Sequence, residues 1–110
     1  MQPVKTLRYY TTPSGTSPFV RWLNGIRNKT SRARIERRLE RLEHGYYGDT
    51  KAIGEGIHEL RFDMEGGYRV YFAQAGDVVI ILLCAGNKSS QARDIKHAKQ
   101  YWKELKGRLT

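Results

Sequence analysis

At 110 residues the chain has the length of one ordinary domain, expected to span 1–110, and its 20 Lys and Arg against 11 Asp and Glu leave a formal charge of +9. Hydrophobic residues at 39% and aromatics at 11% supply a modest core, which excludes intrinsic disorder, while no apolar run approaches the roughly 18 residues of a membrane span. Residues 1–10 lack the apolar stretch of a secretory signal, so a soluble, cytoplasmic protein is expected. A single cysteine, Cys84, excludes an intramolecular disulfide, and His44, His58 and His97 are not spaced as a zinc cluster, so neither metal nor cofactor is expected. The charge points to a polyanionic partner such as RNA, DNA or an acidic protein.

Residues 4–10 mix Val, Leu, Thr and Tyr and end at Thr11-Thr12-Pro13-Ser14-Gly15, which predicts a first strand running into a turn. Ser17-Pro18 supplies an N-cap hydroxyl and a proline at the first helical position, and Phe19, Val20, Leu23 and Ile26 share a helical face. That helix breaks near Asn24-Gly25 or Asn28. A second begins at Thr30, with Ile35, Leu39 and Leu42 at i, i+4, i+7, and stops at His44-Gly45, making a helical hairpin. Residues 46–56, rich in glycine, read as a loop.

Residues 57–63 alternate with the period of a strand, Glu65-Gly66-Gly67 supplies a tight turn, and residues 68–73 alternate again. After a turn at Ala75-Gly76-Asp77, residues 78–84 are continuously apolar, as in a central strand covered on both faces. A polar loop over 86–91 leads into a last helix carrying Ile95, Ala98, Trp102 and Leu105 on one side, then a basic tail. The expected fold is α+β in the order β-α-α-β-β-β-α: a mainly antiparallel sheet, a helical hairpin on one face and a C-terminal helix.

Strand parity sharpens this. With Leu60, Phe62, Val70 and Phe72 directed inward, Glu59, Arg61, Arg69 and Tyr71 share the other face on neighbouring strands, and Lys88 could reach its rim. Arg61 could equally pair with Glu59 or Asp63. Tyr71 could be an ordinary half-buried sheet aromatic, His58 a satisfied core or rim histidine, and Cys84 a small core residue.

The runs Gly56-Ile57-His58-Glu59-Leu60-Arg61, Gly67-Tyr68-Arg69-Val70-Tyr71-Phe72, residues 82–91 (LLCAGNKSSQ) and Asp94-Ile95-Lys96-His97-Ala98 resemble the RelE/ParE superfamily of bacterial toxins, and more narrowly its HigB-like branch of addiction module killer proteins. The resemblance covers nearly the whole chain. It implies a RelE-like fold, the toxin role in a type II toxin–antitoxin pair and, for the RelE and HigB branches, cleavage of mRNA on the ribosome. It also implies a neighbouring helix-turn-helix antitoxin that masks the basic concavity and brings operator DNA into the complex.

Metal-independent RNA cleavage uses the ribose 2′-OH as nucleophile. It needs a proton acceptor, a proton donor for the leaving 5′-oxygen and positive charge on the pentavalent phosphate. The resemblance carries Arg61, Arg69 and Lys88 into the site, and arginine's paired N–H donors suit phosphate oxygens. Tyr71 offers a phenol for proton transfer or stacking, and Lys51 could contact the RNA backbone. Where related toxins place a His or Tyr near a short C-terminus, this chain continues into a helix with His97 inside it.

The second helix region carries Arg27, Lys29, Arg32, Arg34, Arg37, Arg38 and Arg41 against Glu36, Glu40 and Glu43, seven cations against three carboxylates. Arg34, Arg37, Arg38 and Arg41 are candidates for RNA or ribosome binding, and an acidic antitoxin segment is an equal claimant. Two other functions fit the fold: a ParE-like, non-enzymatic poison of DNA gyrase, or a weakened toxin serving mainly in a repressor complex.

Overall fold

Residues 4–64 and 66–109 are described by the structure, a computed structural model. Glu65, part of the turn expected at 65–67, lies outside the described residues. Strand β1 (Thr6–Tyr9) is followed by helices α1 (Pro18–Asn24) and α2 (Lys29–Glu43), then strands β2 (Thr50–Gly54), β3 (Ile57–Arg61), β4 (Arg69–Ala75) and β5 (Val79–Gly86). A single 3₁₀ turn (Lys88–Ser90) leads directly into helix α3 (Gln91–Leu109). The α+β class, the helical hairpin and the C-terminal helix are as expected.

Strand β2 was not expected, because residues 46–56 read as a loop. Its side chains are mostly exposed, so no apolar alternation marks it, and β3 is its partner in the sheet. The turn between them, Glu55-Gly56, has both residues at positive φ (58° and 83°), the geometry of a tight hairpin turn. The glycines that suggested a loop therefore build a hairpin.

The sheet order is β1-β5-β4-β3-β2. Neighbouring strands are antiparallel except for β1, which runs parallel to β5; β4 is the central strand, and β5, expected to be central, lies between β1 and β4 as an interior strand buried on both faces. The hairpin's Phe19, Ile26, Ile35, Leu39 and Leu42 pack on Leu60, Phe62, Val70, Phe72, Ile80 and Leu82. On the other face α3 lays Ala98 and Trp102 over Ile57, Tyr71, Ala73, Ile81, Leu83 and Cys84. A register shift between Tyr71 and Phe72, which pair with Cys84 and Leu82, leaves Leu83 without a partner of its own, and Leu83 joins Cys84 on the α3 side.

Helix ends follow local chemistry, with one exception. Asn28 caps α2 by accepting from the Ser31 N–H at 3.0 Å, and Gly45, at φ 85°, follows the His44 C-cap. Ser17 does occupy the N-cap position before Pro18, but its side chain makes no capping hydrogen bond. Its hydroxyl is instead buried without a hydrogen-bond partner among the described residues. The final helix is longer than expected: it absorbs the last residue of the predicted loop, Gln91, and the basic tail as far as Leu109.

Candidate functional site

The antiparallel register places Glu59 opposite Tyr71 and Arg61 opposite Arg69, and Arg69 opposite Gly86 on β5. Residues directly opposed on antiparallel strands put their side chains on the same face. The four polar residues expected to share a face do so, and the end of β5 brings Lys88 to the same edge. The face is not open, however. The start of α3 crosses it, so Glu59, Arg69 and Tyr71 are 1%, 7% and 0% exposed, whereas the Arg61 side chain keeps 40% of its surface and Lys88 is exposed. Parity along a strand assigns a side to each residue; it says nothing about what lies over that side.

Glu59 is the hub. Its Oε1 lies 3.6 Å from Arg61 Nε and its Oε2 lies 3.7 Å from Arg69 Nε. Oε2 also accepts hydrogen bonds from the Tyr71 hydroxyl at 3.1 Å and from Gln91 Nε2 at 2.8 Å. A buried carboxylate requires this degree of compensation. Sequence reasoning weighed Glu59 only as a partner for Arg61 and missed Gln91, because the β3–α3 contact depends on where the last helix lands. Tyr71, sealed beside this anion, has its pKa driven far above the ordinary phenol value, first by burial and then by the Glu59 charge. Its hydroxyl is a hydrogen-bond donor that faces Glu59, not solvent.

Arg69 Nη1 also donates to the Gly67 carbonyl at 3.0 Å. A β-carbon on Gly67 would sit 3.1 Å from that Nη1, and Gly67 has φ 78°, so a glycine serves both the turn and the buried guanidinium. The Lys88 N–H bonds the Gly66 carbonyl at 3.2 Å, tying the 3₁₀ turn to the β3–β4 turn. Asn87 accepts from the Ser89 and Ser90 N–H groups, and Ser90 donates from its hydroxyl to the buried Asp94 carboxylate. Asp94 approaches β5 so closely that a β-carbon on Gly86 would collide with it. These contacts set the Lys88 backbone rigidly while its side chain stays in solvent.

One carboxylate thus stands between two guanidinium groups, with a third cation at the rim. The cluster carries excess positive charge and opens to solvent through Arg61 and Lys88, an arrangement that can grip a phosphodiester, and its own carboxylate, Glu59, is buried. Among the described residues no group of three or more His, Cys, Asp or Glu could hold a metal ion.

Arg34, Arg37, Arg38 and Arg41 converge with Phe62, Asp63 and Met64 on a pocket of about 190 Å³. Arg38 anchors it: Nη1 donates to the Arg61 carbonyl at 2.8 Å and the guanidinium lies 4.7 Å from the Phe62 ring centroid. Burial lowers the Arg38 pKa, with nearby Asp49 opposing. The arginine pocket therefore abuts the Arg61 backbone. Lys51 falls apart from it, on edge strand β2 opposite Glu59 and exposed, not in a glycine loop. His58 stacks on Phe72 at 5.2 Å, His97 lies within α3, and Cys84 is buried with its thiol pushed up to about 12 by burial and Asp94.

Comparison with known proteins places this geometry in a lineage. Residues 21–103 match the family described as Phage derived protein Gp49-like (DUF891), a span from α1 to within α3 that includes every element of the cluster. An uncharacterized protein of Haemophilus influenzae is 46% identical over 90 residues, covering 82% of this chain and 91% of that protein. The chain belongs to the Gp49-like phage-derived protein family, which is associated with the toxins of toxin–antitoxin systems.

Proposed function

We propose that this protein is a toxin of the RelE/HigB kind, a ribosome-dependent endoribonuclease that cleaves mRNA in the cytoplasm and is held in check by a helix-turn-helix antitoxin. The observation that carries the reading is the solvent-facing pair Arg61 and Lys88, fixed at one edge around the buried Glu59–Arg69 ion pair.

In this reading the ribose 2′-oxygen attacks the adjacent phosphorus, the P–O5′ bond breaks, and the products are a 2′,3′-cyclic phosphate and a 5′-hydroxyl. Negative charge accumulates on the non-bridging oxygens. Arg61 and Lys88 bind them, with the permanent charge and planar donors of arginine suited to the pentavalent state. Arg69 and Tyr71 act through Glu59: they compensate its charge and hold its carboxylate where it orients Arg61. The α2 arginines Arg34, Arg37, Arg38 and Arg41, with Lys51, supply attraction for ribosomal RNA or for the antitoxin that displaces it.

Expression followed by primer extension on translated transcripts should reveal cuts within the ribosomal A-site codon. Arg61→Ala and Lys88→Ala should each abolish growth arrest and cleavage while retaining a cooperative thermal transition. Growth arrest with intact mRNA would refute the nuclease reading. Arrest accompanied by a DNA-damage response would transfer the protein to the gyrase-poisoning class.

A further inference from the structure

A second concavity lies at the same end of the sheet, unclaimed by the cluster around Glu59. It is a cleft of about 640 Å³ between the β1–α1 loop with α1 and the first turns of α3, lined among others by Arg21, Trp22, Arg93, Asp94, His97 and Tyr101. Two contacts join it to the candidate site. The Trp22 ring meets Tyr68, the neighbour of Arg69, edge-on at 5.2 Å between centroids. Asp94, on the cleft wall, accepts from Ser90 in the same 3₁₀ turn as Lys88.

The lining combines what an unpaired nucleotide requires. Each wall carries a ring braced from behind: Trp22 lies against Phe19 at 5.9 Å, and Tyr101 stacks on Tyr10 at 4.9 Å with His97 beside it at 5.9 Å. Braced rings lose little freedom when a base stacks on them. Arg21 and Arg93 are exposed at the cleft, and Arg21 has no ion pair among the described residues. The one carboxylate among the described residues lining the cleft, Asp94, is 7% exposed and occupied by Ser90, with Arg93 Nε 3.9 Å away. An acidic peptide would satisfy the arginines but leave the aromatic walls without a matching surface.

We propose that this cleft is a subsite for a nucleotide of single-stranded RNA flanking the scissile phosphate, with the base between the aromatic walls and its phosphate on Arg21 and Arg93. The inference rests on the RNA-cleaving reading above and assigns its substrate a path along the sheet end, from Arg61 and Lys88 past Tyr68 and Trp22. A 2′-O-methyl oligoribonucleotide, which cannot be cut by 2′-OH attack, isolates binding from cleavage.

Titrated against the 110-residue chain, that oligonucleotide should bind about tenfold more weakly to the Arg21→Glu, Arg93→Glu double variant. The slope of log affinity on log salt should shrink by about 0.7 for each phosphate the variant no longer neutralises. Lys103→Glu, on another side of α3, should change neither. With 4-thiouridine in the strand, photocrosslinks should map to Trp22, His97 or Tyr101. Equal weakening by Lys103→Glu, crosslinks only outside the cleft, no binding by the unaltered protein, or preference for polyglutamate over RNA would each overturn the subsite. A failure of the nuclease reading would appear separately, as uncut transcripts.

Discussion

Beneath the helical hairpin the sheet presents Leu60, Phe62, Val70, Phe72, Ile80 and Leu82; beneath α3 it presents Tyr71, Ala73, Ile81, Leu83 and Cys84 and then, at one end, Glu59 and Arg69. The first face is closed by apolar burial, which is non-directional and best tolerates apolar side chains of similar volume. The second is apolar over most of its length but ends in a buried ion pair that holds only if every partner is in place. The hairpin face is therefore held by apolar packing, whereas the α3 face combines such packing with a charged surface held in a defined geometry.

Substitutions separate the two. Phe72→Ala, at a residue 1% exposed on the hairpin face, should cost about 3–5 kcal/mol in denaturant unfolding. Glu59→Ala, which strands the buried Arg69 charge, should cost about 3 kcal/mol, with Glu59→Gln recovering part of it. If Glu59→Ala were neutral in the same unfolding measurement, Arg69 would be relaxing to solvent and the α3 face would not be rigid.

Tyr71→Phe should remove about 1 kcal/mol at neutral pH by depriving Glu59 of a donor. It should also flatten the alkaline limb of stability. Tyr71 is raised by burial and Glu59, and Tyr10 is pushed up to about 12, mainly by burial and its hydrogen bond to Glu104. The unfolded chain therefore releases these protons first, near pH 10, so stability is full below about pH 10 and falls as the pH climbs. Thermal unfolding from pH 8 to 11.5 should display that fall, reduced in Tyr71→Phe.

Arg61→Ala should alter stability by under about 1 kcal/mol, because its ion pair is partly solvated, while the proposed nuclease function predicts that growth arrest would disappear with it. The smallest expected effect is at Cys84. Buried and with its thiol raised to about 12, it should resist a thiol reagent at pH 7.5 in the folded protein and react once denatured.

The two faces also differ in how far they could be read from the chain. Apolar spacing through Ile35, Leu39 and Leu42, with alternation through Leu60, Phe62, Val70 and Phe72, leads straight to the hairpin face, since those periods are the geometry of helix and strand. The same alternation puts Glu59, Arg61, Arg69 and Tyr71 together on the reverse. It does not reveal that α3 begins at Gln91 and covers three of the four, because a helix's docking position depends on contacts distant in sequence. Strand β2 escaped for a related reason: residues 50–54 carry no burial pattern of their own and become a strand by pairing with β3.

Charge, periodicity and the glycine-marked turns were enough to determine an α+β fold with a cationic sheet end and an arginine-rich α2. Only the tertiary structure decided which cations meet solvent. Arg61 and Lys88 remain accessible, Arg69 is drawn onto Glu59, and Arg34, Arg37, Arg38 and Arg41 gather around Phe62. Sequence pattern acts through local backbone geometry, whereas desolvation of a charge depends on every segment that packs over it.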